Sequence, residues 1–477
     1  MTWGFLENGY CPPDPNAFRF VQAVSGQIAT VAVDNQGRIF TWGDAGGNSY
    51  TGQTPVVSGA NFFSHPAIDP LLEDMLHPYQ VGTKSDWVKV DTSEYTFMAM
   101  DEIGQIYAWG DGYLGQGGWA TNSKYKYFPA DNLWKPYPGS GDGFSVALVP
   151  TLVNSDTWSD FALGWYHAIA LKSDGTLWIW GTNFDNTYGD AAYADGFKSL
   201  TPIEITWGPP EFKLISAGYS VNAVVTTDDE VWCWGDFTTG NVAVPTQFPL
   251  TIPAGETIVE IKCDYDGVVV LLSGGDCYAF GSGTACIDAP TYATTTLTLI
   301  PGGHNFVAVD ISVFNAGGID AMGQMWAWGT SADSLLISRD AGFCDQDSIT
   351  LPVYVGSIML NDHVWRSFSM GGYGTSLINE DGELWMYGKN INGYVGINNS
   401  STFNQCSVIP VDPVLLDSGA SALTPATVAV GVGVATVDYI PPPIPGPIHN
   451  PCGHWHKGLV APTIGHLFFI DEITEEQ

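Results

Sequence analysis

The chain has 477 residues, and its 50 acidic residues far outnumber its 15 lysines and arginines, which gives a formal net charge of −35. A chain this acidic is repelled by nucleic-acid phosphates and by anionic membrane surfaces, so we expect it to bind neither. The 45% of hydrophobic residues supply ample material for a core, yet no window is long and apolar enough for a transmembrane helix.

The start of the chain has no basic region followed by an apolar run, which is the pattern of a secretory signal. The 8 cysteines are irregularly spaced and do not form a disulfide framework, and Cys233 and Cys277 fall within predicted buried strands. These observations predict a soluble protein made in a reducing compartment, located either in the cytoplasm or in a virus particle.

Seven copies of one short pattern follow each other along the chain. In each copy a turn residue, which is glycine six times and aspartate once, is followed five positions later by an aromatic residue and then by glycine. The copies are GRIFTWG (37–43), GQIYAWG (104–110), GTLWIWG (175–181), DEVWCWG (229–235), GDCYAFG (275–281), GQMWAWG (323–329) and GELWMYG (382–388). A fixed pattern with inserts of variable length predicts a repeat fold, with function in the inserts and tails.

The third copy shows what each repeat builds. Residues 158–171 alternate between apolar residues and small or polar residues, with Gly164 at the centre. This pattern predicts two strands separated by a kink. The dipeptide Asp174-Gly175 predicts a hairpin with a primed turn. Residues 177–180 are apolar on both faces, so we expect this strand to be covered on both sides, as in a blade packed between two other blades.

An aromatic residue also stands three positions after every turn residue. These residues are Phe40, Tyr107, Trp178, Trp232, Tyr278, Trp326 and Trp385. One aromatic side chain per repeat at a fixed position favours packing in the core over ligand binding.

The repeat resembles that of the regulator of chromosome condensation (RCC1) family of β-propellers, which carries a G-x-L-x-x-W-G core and often a following N-x-x-G-Q-L-G. The stretches WGDGYLGQG (109–117) and YGKNINGYVG (387–396) are the most similar to it, and several other copies depart from it after the W-G. The resemblance covers residues 1–440 and implies an all-β propeller of seven blades.

The number of blades has an alternative on the sequence alone. Residues 1–4 (MTWG) look like the end of one more W-G strand, and residues 426–437 look like the first half of a repeat. If the two termini met, these halves would close the propeller as an eighth blade. We therefore predict seven blades, with eight as the alternative, in a domain over residues 1–440 that is closed by N- and C-terminal strands.

Two inserts between repeats carry distinctive residues. Residues 69–76 (DPLLEDML) predict a short helix with an acidic first turn. The next insert places aromatic residues beside three lysines, which suits either a protein or glycan contact or packing onto the propeller rim. We take its aromatic residues as candidate partner-binding residues, namely Tyr125, Tyr127, Phe128, Trp134 and Tyr137.

The tail over residues 441–477 begins with a proline-rich arm, predicted to be extended and stiff, and continues into an apolar peptide. Leu467, Phe468 and Phe469 are candidate docking residues, either on the same chain or on a neighbouring subunit. The residues between arm and peptide include a cluster that could hold a zinc or iron ion, formed by His449, Cys452, His454 and His456. The alternative is a polar turn, because the spacing matches no established zinc motif.

Motifs of enzymes are missing from the sequence, which has no phosphate-binding loop, no G-x-S-x-G and no H-E-x-x-H. We therefore predict a non-enzymatic protein-binding propeller without a cofactor. One hypothesis is a structural, decoration or host-recognition component of a phage or virus particle. The alternative is a regulator or inhibitor that grips one globular partner, as an exchange factor of a GTPase or an enzyme inhibitor does.

Overall fold

The computed structural model describes residues 18–44 except 28, 74–111 except 94–95, 115, 117–118, 125–128, 133–136, 146–281 except 208–210, 238–239 and 265–266, 297–330 except 314, 348–354, 363–390, 394–396 and 404–411. All of them belong to one compact unit, Phe18–Gly431. Within these residues the secondary structure is β-strand and turn, with no helix.

The described strands form seven antiparallel sheets of four strands each, and each sheet is one blade of a propeller. The first strands of the blades are β1 (Phe20–Ser25), β5 (Trp87–Thr92), β11 (Asp160–Leu163), β15 (Phe212–Ala217), β19 (Ile258–Asp264), β23 (Phe306–Ile311) and β27 (Trp365–Met370). The second strands are β2 (Ala29–Asp34), β6 (Thr96–Asp101), β12 (His167–Leu171), β16 (Val221–Thr226), β20 (Gly267–Leu272), β24 (Asn315–Asp320) and β28 (Gly374–Asn379).

The third strands contain the repeated aromatic-glycine pair. They are β3 (Ile39–Asp44), β7 (Ile106–Asp111), β13 (Leu177–Thr182), β17 (Val231–Phe237), β21 (Cys277–Gly281), β25 (Met325–Thr330) and β29 (Leu384–Lys389). The fourth strands are β4 (Asp74–Gln80), β10 (Val146–Leu152), β14 (Lys198–Glu204), β18 (Gly240–Phe248), β22 (Thr298–Leu299), β26 (Ser348–Tyr354) and β30 (Asn404–Pro410). The insert of the second blade adds a hairpin of β8 (Tyr125–Phe128) and β9 (Leu133–Pro136).

First strands of neighbouring blades contact one another, β1 with β5 and β27 among them, so these strands converge on the axis and are the inner strands. The third strands are covered on both sides, as the sequence predicted. The aromatic residues five positions after the turn include Trp42, Trp109, Trp180, Trp234 and Trp328, which are among the largest fully buried side chains. Buried clusters join the blades, for example Phe20 of the first blade with Leu384 of the seventh.

The hairpin between second and third strands differs in type from the prediction. A primed turn needs positive φ at its first central residue, but at Asp174-Gly175 only the second residue, Gly175, has it, with φ of 83°. The Gly175 N–H donates to the Lys172 carbonyl at 2.9 Å, and the Lys172 N–H donates to the Thr176 carbonyl. This is a three-residue loop that ends in a left-handed residue, and the same bonds recur in the other six blades.

One hydrogen bond repeats at every junction between blades and gives the blade count. The carbonyl of the turn glycine accepts the N–H that begins the next inner strand, as Gly37 does from Trp87 at 3.1 Å. At the junction after the fourth blade the Asp229 carboxylate takes this role and accepts the Ile258 N–H at 2.7 Å. The series ends with the Phe20 N–H donating to the Gly382 carbonyl at 2.8 Å, which joins the seventh blade to the first.

Seven blades, the number favoured from the sequence, is thereby confirmed, and the alternative of eight is wrong. The residues proposed for a split blade, 1–4 and 426–437, lie outside the described residues. The closure by terminal strands and the separate tail over 441–477 therefore stay predictions.

The helix predicted over residues 69–76 was wrong at its C-terminal end. Asp74–Leu76 begin β4, which pairs with the end of β3 through Asp44 and Gly43. Pairing with an exposed sheet edge outweighs the local helix signal of an acidic turn followed by leucines. Cys233 and Cys277 are buried free thiols in third strands, as predicted, and Cys263 is a third one in β19.

Candidate functional site

The inner strands surround a central channel with a cavity of about 340 Å³. Its two ends differ in the loops that frame them. We call one end the insert face, where the loops between first and second strands and the inserts after the third strands lie. The other end is the hairpin face, which carries the hairpins between second and third strands. Ligand sites in propellers are expected at such channel mouths, because loops there are free to vary.

The edge of each inner strand faces the channel, and its N–H groups need acceptors. A side chain of the preceding blade supplies one at six of the seven junctions. Asp91 accepts the Leu163 N–H at 2.9 Å, and Asp310 accepts the Met370 N–H at 2.7 Å. The other acceptors are Gln22 for Val90, Ser216 for Cys263, Glu260 for Val309 and Ser369 for Ser25. Polar side chains on the inner strands thus hold the ring together.

Two lysines lie among these carboxylates. Lys89 pairs with Asp160 and donates to the Phe161 carbonyl at 2.7 Å. Lys262 lies 3.9 Å from Glu260. Burial lowers its pKa, but Asp310, Glu260 and the more distant Asp91 outweigh burial and raise it.

Burial acts on the pKa of the carboxylates in the opposite direction. Burial raises the pKa of Asp91, Glu260 and Asp310 above the usual range of carboxyl groups, and the neighbouring lysines offset part of the rise. The lining of the channel contains more acidic than basic residues, namely Asp91, Glu260, Asp264 and Asp310 against Lys89 and Lys262, so an incoming cation is favoured over an anion.

At the insert face, four aromatic rings cluster beside the channel mouth between the third and fourth blades. Tyr219 makes edge contacts with Trp165, at 3.9 Å between ring centroids, and with Tyr166, at 5.2 Å. Phe184 makes an edge contact with Tyr166 at 4.8 Å. The hydroxyls of Tyr166 and Tyr219 are hydrogen-bonded at 2.8 Å. All four side chains are half-buried, and we call them the aromatic cluster.

The third and fourth blades meet closely under this cluster. A Cβ on Gly164 would lie 2.6 Å from the Gly218 carbonyl oxygen, so glycine is needed at this close approach. The Trp165 N–H donates to that same carbonyl at 3.3 Å. This junction is the one without a side-chain acceptor from the preceding blade among the described contacts, because Ala162 stands where other blades carry Asp or Ser. Backbone contact and edge contacts between aromatic rings replace it.

A buried histidine, His167, directly follows Tyr166 of the aromatic cluster in the chain. His167 Nε2 lies 2.8 Å from Asn222 Oδ1, and Asn222 Nδ2 donates to the Thr187 carbonyl at 3.0 Å. Because the Asn222 amide oxygen faces the imidazole, Nε2 carries the proton. Burial lowers the pKa of His167 to about 4, so it is neutral at physiological pH and acts as a packing and hydrogen-bonding residue.

Acidic residues border the aromatic cluster. Asp264 Oδ1 accepts the Tyr219 N–H at 3.2 Å and also lines the channel. Asp185 is exposed and has a positive φ of 54°. Burial, together with the nearby Asp185, raises the pKa of Asp236. An aromatic patch with an acidic border suits a partner surface that carries lysine or arginine.

The sequence did not single out these rings as site residues, although a signal was present. Aromatic residues follow the glycine that ends an inner strand in Gly164-Trp165, Gly218-Tyr219 and Gly372-Tyr373. Their convergence depends on the order of blades around the ring, which the sequence pattern alone does not give.

The site residues predicted from the sequence have the following places. Tyr125, Tyr127 and Phe128 lie on β8 and Trp134 lies on β9, which pair as a hairpin with Tyr127 opposite Trp134. Their role in partner binding stays a prediction, as does that of Tyr137, which lies outside the described residues. The same holds for Leu467, Phe468 and Phe469 and for the metal cluster of His449, Cys452, His454 and His456. In the part of the chain that the structure describes, no three His, Cys, Asp or Glu residues are grouped to hold a metal, and no helix could cross a membrane.

Comparison with known proteins supports this architecture. A family model of the regulator of chromosome condensation (RCC1) repeat matches residues 158–189, which form most of the third blade. Among solved structures, Prp20p of Saccharomyces cerevisiae is similar with a TM-score of 0.55 and 16% identity, over 74% of this chain and 80% of that one. The chain is an RCC1-like repeat propeller. Human WBSCR16 is similar with a TM-score of 0.59 and 13% identity, over 79% of this chain and 94% of that one.

A curated relative shows the same likeness at the level of sequence. The mitochondrial RCC1 domain-containing protein RUG3 of Arabidopsis thaliana is 25% identical over 218 residues, which is 45% of this chain and 42% of the relative. The match spans less than two thirds of the length of this and other curated relatives. The RCC1-like repeats therefore define the architecture, and the binding partner has to be inferred from the site.

Proposed function

We propose that this RCC1-like propeller is a non-catalytic binding protein that grips one globular protein at its insert face. The observation that carries the proposal is the aromatic cluster of Trp165, Tyr166, Phe184 and Tyr219 at the channel mouth. Tryptophan and tyrosine dominate the energetics of protein interfaces, because they bury much area and lose few rotatable bonds. A half-buried group of them on a rigid scaffold is suited to be the centre of an interface.

The charge of the protein indicates the character of the partner. The chain carries a formal net charge of −35, and Asp185 and Asp264 border the aromatic cluster. A basic partner surface would be steered toward the insert face and would complement this border. An acidic partner or a nucleic acid would be repelled. We therefore propose a partner with a lysine- or arginine-rich surface.

A described neighbour is consistent with a protein partner of this kind. The published structure of Prp20p concerns its binding to Gsp1p and histones. We extend to the present chain only the regulator-type hypothesis, in which the propeller holds a protein partner on one face. The hypothesis of a phage or virus component gains no support, since the relatives reported above are cellular proteins.

The test is a titration of the full chain with defined probes, namely purified core histones and a panel of small GTPases, each followed by calorimetry. The double variant Trp165→Ala/Tyr219→Ala removes the centre of the aromatic cluster. The matched control is Val244→Ser, because Val244 is 56% exposed on the outer strand β18, away from both faces. Unchanged far-ultraviolet circular dichroism and an unchanged unfolding midpoint show that the variants are folded.

We expect at least one basic probe to bind the wild type and the control equally, and the double variant to bind it at least roughly tenfold more weakly. Equal binding of all three proteins would place the interface elsewhere and refute the proposed site. The absence of binding by every probe would refute the proposed partner class.

A further inference from the structure

The opposite end of the channel has an unusual and repeated apolar feature. In six blades the second residue of the inner strand is a bulge, because the register of its pairing shifts at this point, as between Phe20 and Gln22. This residue is exposed valine in four blades, with exposed fractions of 54% for Val21, 51% for Val88, 47% for Val259 and 58% for Val307. Ser159, Lys213 and Arg366 occupy the position in the other three blades. Valine at an exposed bulge has no role in the core.

Further exposed apolar side chains lie on the same hairpin face. Ile103 and Met322 project from hairpins of the second and sixth blades with exposed fractions of 62% and 73%, and Val364 lies directly before β27. Val364 is adjacent to the hairpin of the sixth blade, since a Cβ on Gly323 would lie 2.4 Å from it. Among the described residues, most of the exposed large apolar side chains belong to this face. Apolar surface grouped in this way marks an interaction site on a monomer.

Acidic residues surround these apolar side chains. The exposed carboxylates of the hairpins and of the segments beside them are Glu102, Asp174, Glu211, Asp228, Glu380 and Asp381. Several cations of the face are already engaged, since Lys84 pairs with Asp86 and Asp101, Lys172 with Asp156, and Lys213 with Asp229. The hairpin face therefore has four exposed valines around its centre, interrupted by Lys213 and Arg366, and a net negative rim.

We infer that the hairpin face is a second docking surface, which takes a protein segment of aliphatic side chains flanked by lysines or arginines. The aliphatic side chains would cover Val21, Val88, Val259 and Val307 at the channel mouth, and the basic side chains would reach the acidic rim. A second copy of this chain does not fit, because two acidic rims would repel each other. With the insert face also occupied, the propeller would join two proteins on opposite ends of one rigid body.

The experiment uses the full chain and a fluorescein-labelled amphipathic peptide of leucine and lysine, about 20 residues long so that it can form a helix. A second peptide with serine in place of leucine keeps the charge and lacks the apolar face. The double variant Val88→Ser/Val307→Ser removes two valines from the mouth, and Val244→Ser is a control of similar exposure. The variant Trp165→Ala/Tyr219→Ala distinguishes the hairpin face from the insert face.

We expect the leucine-lysine peptide to bind the wild type, the Val244→Ser control and the insert-face variant alike. The Val88→Ser/Val307→Ser variant should raise the dissociation constant by roughly tenfold, and the serine-lysine peptide should bind the wild type by at least that factor more weakly. Equal binding of both peptides would show charge attraction alone and overturn the inference. Loss of binding in the insert-face variant instead would also overturn it, while leaving the proposed function of that face intact.

Discussion

At the scale of single residues, polar side chains define the turns that give each blade its shape. Asp320 Oδ1 accepts the backbone N–H groups of Met322 and Gln324, both at 2.9 Å, and Oδ2 accepts Trp326 Nε1 at 2.9 Å. Asp34 and Asn379 make the same pair of backbone bonds in the first and seventh blades. The residue that opens the hairpin is thus selected for an acceptor oxygen, and its charge is secondary.

Replacement of this acceptor should therefore be costly. We predict that Asp320→Ala lowers the free energy of unfolding by about 2 kcal/mol, because three buried or half-buried donors lose their partner. Asp320→Asn should lose less, because its Oδ1 can keep the two backbone bonds, as Asn379 does in the seventh blade, and only the bond to Trp326 Nε1 is lost. Denaturant unfolding of both variants measures this, and equal losses for Ala and Asn would contradict the role assigned to the acceptor oxygen.

The buried His167 predicts a pH dependence. Its folded pKa of about 4 lies below the ordinary 6.5, so the unfolded chain takes up this proton first as the pH falls. The folded state then loses about 3 kcal/mol relative to the unfolded state between about pH 6.5 and pH 4. His167→Asn, which copies the buried Asn315 at the equivalent position of the sixth blade, should lack this component.

The measurement is the free energy of unfolding of wild type and His167→Asn at several pH values, and the quantity of interest is their difference. This difference should narrow or reverse in favour of the variant toward pH 4. A constant difference over that range would mean that His167 titrates alike in both states.

At the scale of elements, the inner strands combine a structural task with an unusual electrostatic one. Asp91, Glu260 and Asp310 cap N–H groups of the next blade and have raised pKa values, and Lys262 lies among them. Removal of the lysine leaves Glu260 and Asp310 without their main counter-charge, and it removes a smaller contribution from Asp91, whose main counter-charge is Lys89. We predict that Lys262→Met lowers the free energy of unfolding at pH 7 by about 1 kcal/mol, because the Lys262 side chain is partly exposed and solvent screens its charge.

This loss should depend on pH in a defined direction. Carboxyls with raised folded pKa values are protonated in the folded state before they are in the unfolded chain, so acid relieves their repulsion. The stability difference between wild type and Lys262→Met should therefore shrink as the pH falls below 7 toward the raised pKa values of these carboxyls. A difference that grows in acid would contradict the arrangement of charges in the channel.

Much of the element scale could be predicted from the sequence, for reasons of period and spacing. The aromatic-glycine pair marks the third strand of each blade, since a strand buried on both faces needs apolar residues at consecutive positions. The turn type at Asp174-Gly175 could not be predicted from the sequence, because the same dipeptide suits two kinds of hairpin. The strand at Asp74–Leu76 was also missed, because β4 depends on pairing with a strand some 30 residues earlier in the chain.

The channel and the aromatic cluster could not be predicted from the sequence. Lys262 and Asp91 act on each other across the ring although they are far apart in the chain. Trp165 and Tyr219 meet only because the third and fourth blades approach each other at Gly164 and Gly218. Such contacts follow from the packing of blades against each other and around the channel, and no local pattern encodes them.

At the scale of the whole molecule, the ring gives the protein two different ends on one rigid body. The insert face carries aromatic rings and the hairpin face carries exposed valines, and both are bordered by acidic residues. The surface on the hairpin face depends on the closed ring of seven blades, because closure brings the first and second blades to the same channel mouth as the fifth and sixth. The aromatic cluster joins the consecutive third and fourth blades. Closure between the first and seventh blades is therefore the central structural claim.

A matched pair of glycine substitutions tests that claim most directly. Gly323 faces the junction of the sixth and seventh blades and Gly382 faces that of the seventh and first, with φ of 76° and 79°. A Cβ would lie 2.4 Å from Val364 in one case and 2.5 Å from Arg19 in the other. The measurement is denaturant unfolding of Gly323→Ala and Gly382→Ala. We predict a similar loss for both, of at least about 1–2 kcal/mol from the left-handed backbone alone, in a single transition. Because the left-handed backbone alone costs this much at both sites, a loss in Gly382→Ala no larger than that cost, beside a larger loss in Gly323→Ala, would show that the first and seventh blades do not close the ring.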